Sequence, residues 1–338
     1  MELEIKVKNL KKSNPSFNFA EVFPSSQRNY RMRIECNLRI NKNVLELDEF
    51  AKTNLGRANK KINDIVPGLL IIINKNEILK HKLFRIDFLC NQLNSVVIGL
   101  VYHKKLNEEW IEEASILGEN IIGLSKKQKI VIGKDYVIER INLRDRSLNY
   151  KYTYGLFSQP NTLINQVMIQ WILDHTKDFK DDLLELYCGC GNFSIALANN
   201  FRKVLASEIV KKSIKDAIYN IELNNVKNID FVRMSSDEIE KAFNYERIFN
   251  RLSPQKIKSY NFSTVLVDPP RMGLTSKVKI FLRNFENIIY VSCNPSTLFR
   301  DLNELKDYYL YKSAIFDQFP GTTHIECCVI LKKKKFIK

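Results

Sequence analysis

No run in this chain approaches the roughly 18 apolar residues that a membrane span needs, and the first residues, MELEIKVKNLKK, hold no apolar stretch of the secretory kind. A cytoplasmic protein with no membrane association is expected. The seven cysteines, Cys36, Cys90, Cys188, Cys190, Cys293, Cys327 and Cys328, are odd in number, and none forms the C-x-x-C pairs of a zinc or iron–sulfur site. No metal, iron–sulfur cluster or disulfide framework is therefore expected, and most of these thiols read as small core residues. Internal repeats and low-complexity segments are also missing, and nothing implies an obligate protein partner. What is present is charge of one sign: 53 Lys and Arg against 38 Asp and Glu, a formal net charge of +15 spread over both halves. Such an excess points to a polyanionic partner, although a lysine-rich proteome would produce it too. The run Lys332 to Lys335 reads as a solvated chain end.

At 338 residues the chain is long enough for two domains. From Phe17 to about Ser147, short apolar runs alternate with polar turns: Tyr30–Ile40, Gly68–Ile73, Leu83–Leu89, Ser95–Val101, Ile121–Leu124 and Ile130–Ile132. Helical spacing is confined mainly to Glu46–Val66, which Pro67 is expected to stop, and to Glu108–Leu117. This predicts an α+β domain over residues 1–150 with an antiparallel sheet. It carries basic clusters with aromatic neighbours, at Arg28–Arg33, His81–Arg85 and Tyr102–Lys105, which suit a nucleic-acid surface as well as the wet face of any sheet. Residues 148–162, broken by Gly155 and Pro160, look like the junction.

Residues 151–338 read differently. After a helix over Leu163–His175, apolar strands recur at Leu183–Tyr187, Val204–Ser207, Ile229–Arg233, Val265–Val267 and Ile288–Ser292, separated by helical segments. That alternation predicts a parallel, doubly wound α/β sheet. The last two runs, Ala314–Phe319 and Cys327–Leu331, are joined by a short loop and must be antiparallel neighbours. A reversed last strand marks the S-adenosylmethionine-dependent, Rossmann-like methyltransferase variant of this sheet. The stretch DLLELYCGCGNFSIALA, Asp182 to Ala198, is its centre: a strand, a turn at Gly189-Cys190-Gly191, and a helix. Such a turn passes close under a ligand, with helix N–H groups aimed at it. The dinucleotide fingerprint wants a third glycine where Ser194 stands, so that pattern is incomplete. Glu208, about 20 residues on at the end of the next strand, suits ribose hydroxyls in either case.

Ligands of open parallel sheets sit outside the carboxyl ends of the strands. Those ends carry Tyr187 with Asn192 beyond it, Glu208, Asp268-Pro269-Pro270-Arg271, and Ser292-Cys293-Asn294-Pro295. A carboxylate before two prolines is familiar from amine methyltransferases, where an aromatic residue follows; here Arg271 follows instead. Carbon 5 of a pyrimidine is a poor nucleophile until a thiolate adds to carbon 6, and a base must later take the carbon-5 proton. Cys293 is the candidate thiolate, and Arg271 together with the positive sulfonium of the cofactor is expected to lower its pKa. For the base, chemistry alone leaves His324 and Glu326 open.

Taken together, FSQPN (157–161), LLELYCGCGNFSIALA (183–198), VDPPR (267–271), YVSCNPSTL (290–298) and FDQFPGTTHIEC (316–327) resemble the tRNA (uracil-5-)-methyltransferases. NYRMR (29–33), HKLFRIDFL (81–89) and VYHKKLNEEW (101–110) resemble that family's RNA-binding part. The resemblance implies S-adenosylmethionine-dependent formation of 5-methyluridine at the T-loop uridine, tRNA position 54, with the equivalent uridine of tmRNA as a second substrate. It implies that Gln159, Tyr187, Asn192, Glu208 and Asp268 line the cofactor pocket, that Cys293 is the nucleophile and that Glu326 is the base. Phe84 would stack on the extruded uracil, Arg271 would lie near it, and the basic segment Tyr245–Tyr260 would face the tRNA T-arm. Cys190 stands where the family often has asparagine and Cys328 where it has glycine. Sister enzymes acting on ribosomal RNA carry an iron–sulfur cysteine cluster and a small β-barrel, which favours tRNA here. The alternatives are 23S ribosomal RNA methylation and a non-catalytic tRNA-binding or folding protein.

Overall fold

A computed structural model of the chain describes residues 2–15, 17 and 19–334. It divides into two compact units, one formed by Met1–Ser25, Ile141–Tyr150 and Leu163–Lys338, the other by Ser26–Arg140 and Lys151–Thr162. A single boundary at 150/151 is thus corrected twice. The opening helix α1 (Leu3–Ser13) and strand β1 (Glu21–Phe23) belong with the C-terminal residues, while 151–162 belong with the preceding unit. The expected solvated run at the chain end begins inside a strand, with Lys332 and Lys333; Lys335 lies outside the described residues.

In the second unit, β2 (Arg33–Asn41), β3 (Val44–Leu47), the helices α2 (Glu49–Leu55), α3 (Lys60–Lys75) and α4 (Glu77–Lys80), β4 (Leu83–Cys90), β5 (Val96–Tyr102), α5 (Glu108–Ser115), β6 (Ile121–Ser125) and β7 (Gln128–Ile132) follow in order. The strands form one sheet ordered β3-β2-β4-β5-β6-β7. All pairs are antiparallel except β5 with β6. Pro67 does not stop a helix: it lies inside α3, and Gly68–Ile73 is helical rather than extended. The interior proline costs about 3 kcal/mol. Ile62, Val66, Leu69 and Ile73, one helical stripe across the proline, are all buried, and at about 1.5–3 kcal/mol per buried side chain their burial outweighs that cost. The hairpin of β8 (Tyr136–Asn142) and β9 (Ser147–Thr153) is shared between the units, so the expected junction begins as a strand.

The first unit continues with α6 (Thr162–His175), β10 (Asp182–Leu186), α7 (Asn192–Leu197), β11 (Val204–Ser207), α8 (Lys211–Leu223), β12 (Ile229–Val232), α9 (Ser236–Phe243), α10 (Pro254–Lys258), β13 (Phe262–Val267), α11 (Ser276–Leu282), β14 (Asn287–Ser292), α12 (Pro295–Glu304), β15 (Tyr308–Phe316) and β16 (Glu326–Lys333). Its sheet runs β1-β15-β16-β14-β13-β10-β11-β12. Strands β10 to β14 pair in parallel, and β16 is antiparallel to both neighbours. This is the α/β methyltransferase sheet with its reversed last strand. Every residue of β10 and β11 is buried, as expected of parallel strands whose two faces are both covered. The added edge strand β1 pairs in parallel with β15 and was not foreseen. No helix among the described residues is long and apolar enough to cross a membrane.

Candidate active site

The site is built at the carboxyl ends of β10, β11, β13 and β14. Beyond β10 the chain reverses through three left-handed residues, Tyr187 (φ 63°), Gly189 (φ 56°) and Gly191 (φ 86°), before α7 begins. For tyrosine this backbone is uncommon and costly, and it is held by the hydroxyl's 2.8 Å bond to Ser236 Oγ. A Cβ on Gly189 would meet open space, whereas one on Gly191 would meet Ile195 and Phe231 at 3.0 Å. The first glycine therefore leaves room above the turn, and the second packs it down. Glu208 reaches across from β11: its Oε2 accepts the Gly189 N–H at 3.1 Å and its Oε1 the Val210 N–H at 2.8 Å. Asn192 is fixed by reciprocal amide bonds with Asn165, at 3.0 and 2.8 Å.

The loops after β13 and β14 are tied to each other. The Arg271 carbonyl accepts from Asn294 Nδ2 at 3.0 Å and from Thr297 Oγ1 at 3.3 Å. Asp301, fully buried in α12, accepts the Leu274 N–H and the Tyr290 hydroxyl, both at 2.8 Å. Gly273 (φ 75°) packs so closely there that a Cβ would stand 2.6 Å from Arg300 and Asp301. Asp268 and Cys293, flanked by prolines, thus stand on loops that cannot move independently. Glu326 arrives from the opposite direction. Ser292 of β14 pairs with Cys327 of β16, so the next step along each antiparallel strand sets Cys293 beside Glu326. His324, two residues before, is bonded through Nε2 to the Arg271 guanidinium at 3.2 Å.

Electrostatically this is a gathering of acids. Burial, then the charge of Asp268, pushes the Glu326 carboxyl well above the usual carboxylate range, with Arg271 opposing weakly. Burial raises Asp268 as well. Glu185, wholly buried within β10, is pushed up to about 8, first by burial and further by Asp268 and Glu208, although Ser194 donates its hydroxyl to it. Its Oε1 has no hydrogen-bond partner. Cys293 is the cysteine set apart: half-buried, while the other six are buried. In the ligand-free protein its thiol is raised to about 11, so Arg271 without the cofactor's positive charge does not lower it. Burial is the first cause and the charges of Glu326 and Asp268 the next; Arg271, an exposed side chain, only partly offsets them. Alkylation of Cys293 by iodoacetamide in the ligand-free protein, followed by mass spectrometry, should therefore quicken with pH up to and beyond 9. A midpoint below the ordinary thiol value of about 8.5 would contradict this.

Of the residues singled out in the sequence, Tyr187, Asn192, Glu208, Asp268, Arg271, Cys293 and Glu326 lie in the first unit; Phe84 and Gln159 lie in the second. Phe84 occupies a bulge, because Leu83 pairs with Tyr102 and Arg85 with Val101, leaving Phe84 unmatched. Its partly exposed ring stacks on His103 with centroids 3.9 Å apart and planes 9° from parallel. Bulges commonly re-aim a side chain in this way. Gln159 is buried. In Tyr245–Tyr260, Phe249, Leu252, Ile257 and Tyr260 are core, while Tyr245, Arg247, Ile248, Arg251, Lys256 and Lys258 are exposed. Sequence reasoning missed Glu185; the available signal was a lone acid inside the apolar run Leu183–Leu186.

The family model for tRNA (Uracil-5-)-methyltransferase matches residues 1–334. The tRNA/tmRNA (uracil-C(5))-methyltransferase of Pseudoalteromonas atlantica is 42% identical over 352 residues, covering 98% of this chain and 96% of that protein. The one from Saccharophagus degradans is 49% identical over 280 residues, 81% of this chain and 77% of that protein. The crystal structure of Pyrococcus abyssi tRNA (uracil-54, C5)-methyltransferase in complex with S-adenosyl-L-homocysteine superposes with a TM-score of 0.72 at 24% identity, covering 97% of this chain and 82% of that one. At that identity the likeness is one of fold.

Proposed function

This chain belongs to the tRNA (uracil-5-)-methyltransferase family and is a methyltransferase; from that footing we propose that it methylates carbon 5 of the T-loop uridine, position 54, of tRNA, and the equivalent uridine of tmRNA, through a covalent bond between Cys293 and carbon 6. The observation that carries the reading is the half-buried thiol of Cys293 standing beside the buried Glu326 carboxyl at the sheet's end, with the other six cysteines buried.

Bound S-adenosylmethionine would supply an electrophilic methyl group on a positively charged sulfur. The residues present suit such a cation. Gly189 leaves open space above the turn, Glu185 keeps an unpartnered buried oxygen, and acids whose charges oppose one another gain from a positive neighbour. Tyr187, Asn192, Glu208 and Asp268, all in the first unit, are the residues we assign to holding it; Gln159, which the family resemblance adds, belongs to the second unit. Cys293 Sγ, once deprotonated, adds to carbon 6 and moves the ring's electron pair toward carbon 5 and the carbonyl oxygen. With carbon 5 methylated, Glu326 takes the proton from that carbon, the double bond re-forms and the Cys293 thiolate leaves. Arg271, held by His324, is positioned to favour the thiolate and the ring's developing negative charge.

Phe84 is assigned to stacking the extruded base, with His103 stiffening its ring from behind. Phe84→Ala should weaken T-arm binding by about 1–3 kcal/mol; equal affinity in a filter-binding titration would return the ring to a structural role. The exposed cations of Tyr245–Tyr260 are assigned to tRNA phosphates. The reading itself is tested by incubating the protein with labelled S-adenosylmethionine and purified tRNA, tmRNA or ribosomal RNA, then digesting to nucleosides. Label in 5-methyluridine from tRNA is expected. Label confined to ribosomal RNA, or none in any RNA, would overturn it.

A further inference from the structure

Helix α1 presents Leu3, Val7 and Leu10 to the core of the first unit, and in the middle of that apolar stripe stands Lys6. Its side chain is 1% exposed. The ammonium meets three acceptors: Asp317 Oδ1 at 2.6 Å, the Phe319 carbonyl at 2.9 Å and the His324 carbonyl at 2.9 Å. Those three saturate its three donors. All three belong to the connection between β15 and β16, one at its start and one at its end. Asp317, whose own N–H donates to the Phe23 carbonyl of β1 at 2.9 Å, is itself buried. The residue after the next beyond His324 is Glu326, and the His324 ring is bonded to Arg271.

We propose that Lys6 is a positioning residue for the reaction: from a helix more than 300 residues away in sequence, it gathers both ends of the Asp317–Ile325 loop on one charge and so fixes Glu326 and the His324–Arg271 contact beside Cys293. The proposal rests on Glu326 being the base. A buried lysine is expensive to keep charged unless fully partnered, and apolar packing alone would have been satisfied by leucine or methionine at this place on the helix. What the charge adds is direction: a single ammonium reaches two carbonyls and a carboxylate that no apolar side chain could hold in register. The loop contains Gly321, Thr322 and Thr323, half-buried or exposed and without regular structure, and Lys6 adds a buried anchor at both ends to the ladder pair of Phe316 with Glu326 and the Thr322 bonds within the loop. Glu326 acts only in removing the carbon-5 proton, which assigns Lys6 to the release half of the reaction rather than to cofactor or tRNA binding.

The test uses the full chain, assayed at a temperature where circular dichroism shows each variant folded. For Lys6→Met, kcat for tRNA methylation should fall at least tenfold, with the KM for S-adenosylmethionine within twofold of the parent and a protein–RNA adduct accumulating on denaturing gels. Lys6→Arg, which keeps a long cationic donor, should recover most of kcat. Because Lys6→Met strands the Asp317 carboxylate and lowers stability, the double variant Lys6→Met/Asp317→Leu separates the two effects. It removes both charges, and should regain thermal stability while keeping the kcat defect and the adduct. Parental kcat in Lys6→Met or in the double variant, or a loss of kcat with no adduct and a parallel rise in KM, would overturn the role of Lys6. Should the parent protein itself put no methyl group into tRNA, the proposed function fails instead, and the two failures are told apart.

Discussion

Replacing Cys293 with alanine is expected to abolish turnover, by about 10⁴-fold or more, a loss of the size seen when a covalent enzyme is deprived of its nucleophile. The reason is chemical rather than architectural. Without sulfur at carbon 6 the pyrimidine ring stays aromatic in character, and carbon 5 has no electron pair to offer. The fold should hardly notice. Cys293 is half-buried, its loop is held by the Asn294 and Thr297 bonds to the Arg271 carbonyl and by Asp301, and none of those bonds uses the thiol. Thermal midpoint and T-arm affinity should therefore stay close to those of the parent. Cys293→Ser should be equally inert, because a hydroxyl in this acidic setting is harder still to deprotonate. Single-turnover transfer of labelled methyl into tRNA measures the rate, and a rate unchanged in the alanine variant would remove Cys293 from the mechanism.

The loop that carries the proposed nucleophile was legible in the sequence because it is local: a strand, a cysteine and a proline that stops the ladder need no distant information. The same holds for the Gly189–Gly191 turn and for the reversed β16, which a short connection forces to run against β15. What escaped was set by long-range partners. Nothing in the first 25 residues announces that Lys6 meets Asp317 or that Glu21 pairs with Ala314, so the sequence alone counts α1 and β1 with the N-terminal α+β domain. Pro67 read as a stop because its local penalty is visible, while the tertiary burial of Ile62, Val66, Leu69 and Ile73 that overrides it is not. That Arg271 alone does not lower the Cys293 pKa has a related reason. Arg271 lies close in the motif pattern, but burial and the convergence of Asp268 and Glu326 are properties of the folded site.

That convergence makes Glu326→Gln the sharper experiment. In the ligand-free protein, burial and then the charge of Asp268 push the Glu326 carboxyl well above its usual range, so an uncharged amide of the same shape should be tolerated there and the variant should fold normally. A raised carboxyl stabilises the fold at low pH, and that contribution is lost as pH rises through the folded-state value. The thermal midpoint of the parent should accordingly fall, relative to the Gln variant, as pH rises from the ordinary carboxylate range through the raised folded-state value. In catalysis the two differ completely. Glutamine cannot take the carbon-5 proton, so Cys293 can add and the methyl group can be transferred, but the sulfur cannot leave. Turnover should drop by about 10²–10⁴-fold, the usual worth of a positioned base, while a protein–RNA adduct containing the methyl label survives denaturation and disappears on nuclease treatment. Intact turnover with no adduct would move proton removal to another group, His324 first, since its ring already stands against Arg271 at 3.2 Å. An adduct that forms without methyl label would instead mean that Glu326 acts before transfer, in shaping the acidic pocket rather than in emptying it.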